Sequence, residues 1–172
     1  MWYVVKVQSP SVSFLLTAVY TPPQFHKRKF FWEYLQNLAL HVSLPWVLLG
    51  DFNDMISDEE KLGGLPVNRT RMSAFRNCMD NCGLIDLGFH GPRYTWTNKS
   101  PCWHTTIREW LDRGLGNAEW ATLFPTAEST ISLGSSLTIV PFFYPLIRGN
   151  ENPPSPLGLS KCGSLTPPSL PL

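Results

Sequence analysis

The sequence lacks most of what would assign a protein quickly. Only 16% of its 172 residues are charged and the formal net charge is +1. Composition therefore gives no electrostatic argument for nucleic acid, a membrane surface or an acidic partner. Lys6, Lys27, Arg28, Arg69 and Arg71 are too scattered along the chain to outline a DNA footprint. The four cysteines do not form a disulfide framework. Cys78 and Cys82 stand one helical turn apart and Cys102 lies two residues from His104, a spacing that matches no common zinc pattern and leaves buried or idle thiols. The longest apolar run, 137–147, is interrupted by Pro141 and Pro145 and falls short of the roughly 20 residues a bilayer helix needs. The opening Met1-Trp2-Tyr3-Val4-Val5-Lys6 has no basic stretch followed by an apolar core and a cleavage site, so no secretory signal is read. The sequons at Asn68 and Asn98 are then chance matches. What the chain does hold is apolar mass: 43% hydrophobic residues with seven Trp and ten Phe, enough for the core of one domain.

The order of patterns points to an α/β domain. Residues 2–8 and 12–20 alternate as two strands around the turn signal Gln8-Ser9-Pro10. From about Gln24 to Val42, apolar Phe31, Leu35, Leu38 and Val42 recur at helical spacing, with Lys27, Arg28, Glu33 and Gln36 largely outside that stripe. A buried strand, Trp46 to Leu49, is ended by Gly50, and 54–67 read as a loop. Asn68 can cap a helix running to about Asn81, with Met72, Phe75 and Met79 on one face and Gly83 past its end. Short strands are expected at Leu84–Leu87 and Thr106–Leu111, and a short helix at Asn117–Phe124 that packs Trp120. Past about residue 126 the character changes, and Pro, Ser and Leu dominate from Pro153 onward. Proline resists both helix and sheet, so 149–172 is expected to be disordered.

One stretch poses a chemical question. In "PWVLLGDFNDMIS", residues 45–57, a buried strand runs into Asp51 and Asn53. Residues two apart on a strand point to the same side, and open α/β sheets place ligands at the carboxyl ends of their strands. A carboxylate there can accept a proton from water or hold a hard cation, and an amide beside it can steer a phosphate oxygen. The plainer alternative is an Asp/Asn turn. Tyr20 ends a second strand, "RYTWTN" supplies Thr95, and "REWLDR" supplies Asp112. Their plainer alternatives are an edge aromatic for Tyr20 and an ion pair with Arg108 or Arg113 for Asp112.

In this order the segments "LTAVYTPP", "FFWEYLQNL", "WVLLGDFNDMIS", "EEKLGG", "MSAFRNCMDNCGLIDLGFHGPRYTWTN" and "WLDRGLGNAEWATLFP" resemble the endonuclease/exonuclease/phosphatase superfamily with its DNase I-like fold. More narrowly, they resemble the endonuclease domain of plant LINE-type (non-LTR) retrotransposons. The resemblance covers about Trp2 to Phe124 and implies a two-sheet α/β sandwich with flanking helices. It also implies Mg²⁺-assisted phosphodiester hydrolysis, DNA as partner, and an intracellular location that includes the nucleus, with oligomeric state left open. Under it, Asp51 would orient or deprotonate the attacking water and contact the metal indirectly, and Asn53 would bond the scissile phosphate. Tyr20 would contact the phosphate or steady the leaving oxygen, Thr95 would line the DNA-facing surface, and Asp112 would orient a catalytic histidine. Mg²⁺ suits such a site because it takes oxygen ligands and keeps waters.

The family pattern also includes an Asn and a metal-binding Glu before its Tyr, and a Ser-Asp-His near its end. Nineteen residues precede Tyr20 and none is Asn or Glu. No Ser-Asp-His is present, and His26, His41, His90 and His104 stand elsewhere. Codons can be chosen for Ser136 to Pro145, "SLTIVPFFYP", that read Ser-Asp-His-Cys-Pro-Leu-Leu-Leu-Pro from the third base of the Ser136 codon. The expectation is a truncated family domain over 1–126, an out-of-frame segment over 127–148, and a Pro/Ser-rich tail over 149–172. Such a chain would be an inactive relic. The alternatives are an active phosphodiesterase with compensating residues and a non-enzymatic DNA- or protein-binding module.

Overall fold

The structure, a computed structural model, describes residues 1–8 and 10–125, and the backbone of 129–132 and 138–141. These residues belong to one compact unit, Met1–Phe142. The expected tail over 149–172 lies outside the described residues, as does the codon reading of Ser136 to Pro145 except for the backbone of 138–141.

In chain order the elements are β1 (Trp2–Gln8), β2 (Ser13–Tyr20), α1 (Phe25–Ala39), β3 (Trp46–Asp51), a 3-10 turn (Asp58–Glu60) and β4 (Lys61–Leu62). There follow α2 (Arg69–Asn81), β5 (Ile85–Asp86), β6 (Phe89–His90), β7 (Trp96–Thr97), a 3-10 turn (Trp103–Thr105) and β8 (Arg108–Glu109). The series closes with β9 (Asp112–Gly116), α3 (Ala118–Leu123), β10 (Ser129–Ser132) and β11 (Thr138–Pro141). The main sheet has five strands in the order β1-β2-β3-β9-β5, accompanied by two three-stranded sheets, β4-β8-β7 and β11-β10-β6. Within the main sheet β2 and β3 run parallel, which requires the α1 crossover between them, and the other neighbours are antiparallel.

The two faces of that sheet differ. On one, Thr17, Val19, Trp46, Leu48 and Leu115 are buried beneath α1 and α2. The helices contribute Phe31, Trp32 and Leu35, and Phe75, Cys78 and Met79. Phe75 stacks on Trp32 at 4.9 Å and on Phe52 at 5.4 Å, so the loop after β3 is bolted into the same aromatic core. Asn68 caps α2, its side chain accepting from the Arg71 amide at 3.1 Å, and Asn117 caps α3 through the Trp120 amide at 2.9 Å. Arg28 corrects the sequence reading. Expected outside the apolar stripe of α1, it is fully buried, because an Asp waits for it inside.

β9 is the element that the sequence patterns did not mark; the strand expected at Thr106–Leu111 is only the two-residue β8. The segment Asp112-Arg-Gly-Leu-Gly116 is buried throughout, yet two glycines lower its strand propensity. Gly116 is required because a Cβ there would meet the Trp120 ring at 2.7 Å. Gly50 is required more strictly. Its φ is +143° and a Cβ would lie 1.9 Å from the Val19 carbonyl oxygen, so β2 and β3 can close up only around glycine. That close approach sets the position of the residue that follows, Asp51. At the far edge, β1 leaves Tyr3 and Val5 exposed. Among the described residues no helix is long and apolar enough to cross a membrane.

Candidate active site

Strand register assembles most of the site. Tyr20 on β2 pairs with Asp51 on β3, and Asp51 pairs with Asp112 on β9. Directly opposed residues share a face, so the three form a row across adjacent strands, on the sheet face opposite α1 and α2. Asp112 opens its strand rather than ending one. Because β9 runs antiparallel to β3, its first residue meets the last residue of β3. The row borders a cleft of about 580 Å³ lined by Tyr20, Asp51, Thr95 and Asp112 together with apolar Leu16, Leu49 and Leu111.

Thr95 fixes the start of β9. Its Oγ1 accepts from the Leu111 amide at 3.0 Å and the Asp112 amide at 3.2 Å. The ion-pair alternative for Asp112 does not hold, because Arg113 points to the opposite face. There its guanidinium reaches Glu60 at 2.8 Å and Asp86 at 2.9 Å. Arg108 makes no ion pair with Asp112 either.

Asn53 departs from the expected geometry. β3 ends at Asp51, and Asn53 takes a left-handed backbone, φ +50°. It therefore does not continue the two-residue strand repeat that would set its side chain beside that of Asp51, and it is not among the residues lining the cleft. Its N–H donates to Asp51 Oδ1 at 2.7 Å and its Nδ2 donates to the Thr21 carbonyl at 2.8 Å. Asn tolerates this conformation better than most residues because its side chain bonds locally.

The electrostatics follow from burial. Loss of solvent raises Asp51, and the Asp112 carboxylate opposite raises it further. Hydrogen bonds from Asn53 and the charge of Arg28 oppose the rise, and the group stands at about 6. Asp112 is also raised by burial, against the Thr95 hydrogen bond and the Arg113 charge. Two carboxylates facing each other in a half-buried cleft favour uptake of a proton or a cation. Asp51 and Asp112 are the acids that line the cleft and would hold Mg²⁺ with water filling the rest of its shell. Among the described residues no group of three or more His, Cys, Asp or Glu stands together to hold a metal ion, and His26, His41, His90 and His104 do not line the cleft. Cys78, Cys82 and Cys102 are free thiols, the first two buried.

Sequence reasoning missed the support beneath the site. Asp54 is buried and receives Arg28 Nε at 2.9 Å. Its other oxygen lies 3.3 Å from Arg71 Nη2, which also donates to the Asn53 carbonyl at 3.1 Å. Burial pushes Asp54 up and Arg28 down, and their mutual attraction works against both shifts. The available signal was Asp54 itself, a third polar residue in four positions after a core strand.

The chain is similar to the endonuclease domain of TRAS1, a telomere-specific non-LTR retrotransposon, with a TM-score of 0.57 and 14% identity, over 71% of this chain and 52% of that one. It is similar to beta toxin from Staphylococcus aureus with a TM-score of 0.50 and 14% identity, over 77% and 48% of the two chains. An endonuclease/exonuclease/phosphatase family protein from Leptotrichia buccalis aligns at TM-score 0.47 and 14% identity, over 76% and 45%, and the fold assignment rests on the first two. This chain spans about half the length of the solved structures it matches. No family model matches the sequence, and no curated protein matches it. The mixed α/β architecture is thus a partial match to the DNase I-like fold.

Proposed function

We propose that this chain carries part of the site of a phosphodiester-hydrolysing DNA endonuclease domain of the non-LTR retrotransposon kind, and that by itself it does not cleave DNA. The observation that carries this reading is the register row of Tyr20, Asp51 and Asp112, on a fold similar to that of the TRAS1 endonuclease domain. In this reading Asp51 orients or deprotonates the attacking water, a task suited to a carboxylate titrating at about 6. The Tyr20 hydroxyl, exposed at the rim, contacts the phosphate or the leaving oxygen. Thr95 lines the DNA side and holds the backbone of Asp112. Asn53 supports Asp51 through its own N–H, and reaches a phosphate only if its amide leaves the Thr21 carbonyl.

The inactive reading is supported by what stands around the row. The hydrolysis of the family relies on Mg²⁺, which calls for a further acid ligand, and Asp112 needs a histidine to orient. The described residues around the cleft supply neither. Removing a single positioned electrostatic group from such a site typically costs about 10²–10³ in rate, and here two are in question.

The test is nicking of supercoiled plasmid with Mg²⁺ by wild type and Asp51→Ala. The expected result is no cleavage above background for either. Metal-dependent nicking by wild type that disappears in Asp51→Ala would overturn the inactive reading while keeping the site. Salt-dependent DNA binding without nicking, unchanged by Asp51→Ala, would point instead to a binding module.

A further inference from the structure

We propose that Arg28 is the positioning residue for Asn53: from the first turns of α1 it locks the loops after β2 and β3 into one unit and so holds the left-handed turn that presents the Asn53 N–H to Asp51. The connection to phosphate chemistry rests on the reading above; the anchoring of Asn53 does not.

The geometry is that of a clamp. Arg28 is 0% exposed, and its guanidinium has fixed acceptors on both loops. Nε donates to Asp54 Oδ2 at 2.9 Å, and Nη1 donates to the Pro22 and Pro23 carbonyls at 2.8 and 2.7 Å. Pro22 and Pro23 come directly after the Thr21 that Asn53 touches, and Asp54 directly follows Asn53. The same two loops are stitched at Thr21, whose Oγ1 donates to the Phe52 carbonyl at 2.6 Å and whose N–H donates to the Asp51 carbonyl at 2.9 Å. Asn53 thus stands between two anchored points. Arg71 closes the far side through the Asn53 carbonyl.

Stability alone does not account for such a pair. Two ions buried this deeply lose solvation that their attraction only partly returns, and apolar residues of similar volume commonly replace them without loss. What an apolar pair cannot reproduce is a planar fork that reads three acceptors at set angles. A lysine keeps the charge and loses the fork.

The experiment uses ¹⁵N-labelled full chain in three forms beside wild type: Arg28→Lys, Arg28→Met, and the apolar pair Arg28→Met with Asp54→Leu. The readouts are the Asn53 side-chain NH₂ signals, assigned by their loss in Asn53→Ala, the exchange rate of the Asn53 backbone N–H, and far-UV circular dichroism. The pair variant is expected to keep the wild-type dichroism and core signals while the Asn53 N–H exchanges about tenfold faster or more and its side-chain signals move to solvent-exposed positions. Arg28→Lys is expected to show the same loss at Asn53. A purely structural role predicts the reverse, with lower stability and unchanged Asn53 signals in every variant that folds, and that result would overturn the proposal. Unfolding of all three variants would overturn it as well, since the pair would then be a requirement of the fold. Loss of the Asn53 signals in a chain that never cleaves DNA would leave the clamp standing and bear only on the enzymatic reading.

Discussion

The two faces of the central sheet handle charge in opposite ways. On the helix side every buried ion has a counterpart: Arg28 meets Asp54, and Arg113 meets Glu60 and Asp86. On the cleft side Asp51 stands opposite Asp112, and neither makes an ion pair among the described residues. The first arrangement is what low polarity demands of a charge that stays. The second costs stability, since like charges directly opposed on neighbouring strands repel. Unpaired acids in a cleft are where chemistry is expected, so the contrast separates residues that hold the fold from residues that the fold holds in place.

The sharpest way to break this contrast is to remove one partner on the helix side. Asp54→Ala leaves the Arg28 guanidinium buried without its carboxylate, and breaking a buried pair from one side costs about 3–5 kcal/mol. Urea unfolding of wild type and variant measures it through the shift in midpoint. A loss below about 1 kcal/mol would mean that water takes the place of the carboxylate beside Arg28, and the paired face would no longer differ in kind from the cleft.

How much of this was legible in the sequence follows the same division. The strand ends were readable because alternation and turn residues are local, and Tyr20, Asp51, Asp112 and Thr95 were picked out before any geometry. Their meeting was not readable, since it depends on β9 lying antiparallel to β3. The patterns passed over β9 because Gly114 and Gly116 weaken a strand signal, and the reason for Gly116 is a tryptophan four residues later. Arg28 was misread because a charged residue on a helix is usually solvated, and only the tertiary contact with Asp54, 26 positions away, makes burial tolerable. Asn53 was misplaced because the two-residue repeat was extended past Asp51 to a position where the backbone turns left-handed.

A smaller effect of opposite sign is expected on the cleft side. Asp51 stands at about 6 in the folded chain against an ordinary 3.8, so the folded state holds the proton more tightly than the unfolded one. Its contribution to stability is fully present below about pH 4 and is lost as pH rises through 6. Asn imitates the protonated acid. Asp51→Asn should therefore be more stable than wild type at pH 7.5, by about 1–3 kcal/mol after allowance for partial exposure. The gain should disappear below pH 4. Thermal unfolding at the two pH values gives both numbers. A variant less stable than wild type at pH 7.5 would show that Asp51 is satisfied as an ion, and the cleft would then be ordinary structure.

The smallest expected change in stability is at the rim. Tyr20 is 59% exposed, so removing its hydroxyl in Tyr20→Phe leaves the packing intact and should move stability by no more than about 0.5 kcal/mol. If the cleft accepts a phosphodiester, the same hydroxyl is a contact in the complex, and the variant should bind a short DNA duplex more weakly by about tenfold or more, as one lost hydrogen bond to a charged phosphate oxygen allows. Titration of a labelled duplex at fixed salt, with circular dichroism as the control for folding, reads the two effects separately. Equal affinity for wild type and Tyr20→Phe would remove the phenol from the binding surface. The row across three strands would then be reduced to its two acids, and the cleft would keep its proton chemistry without a rim that recognises DNA.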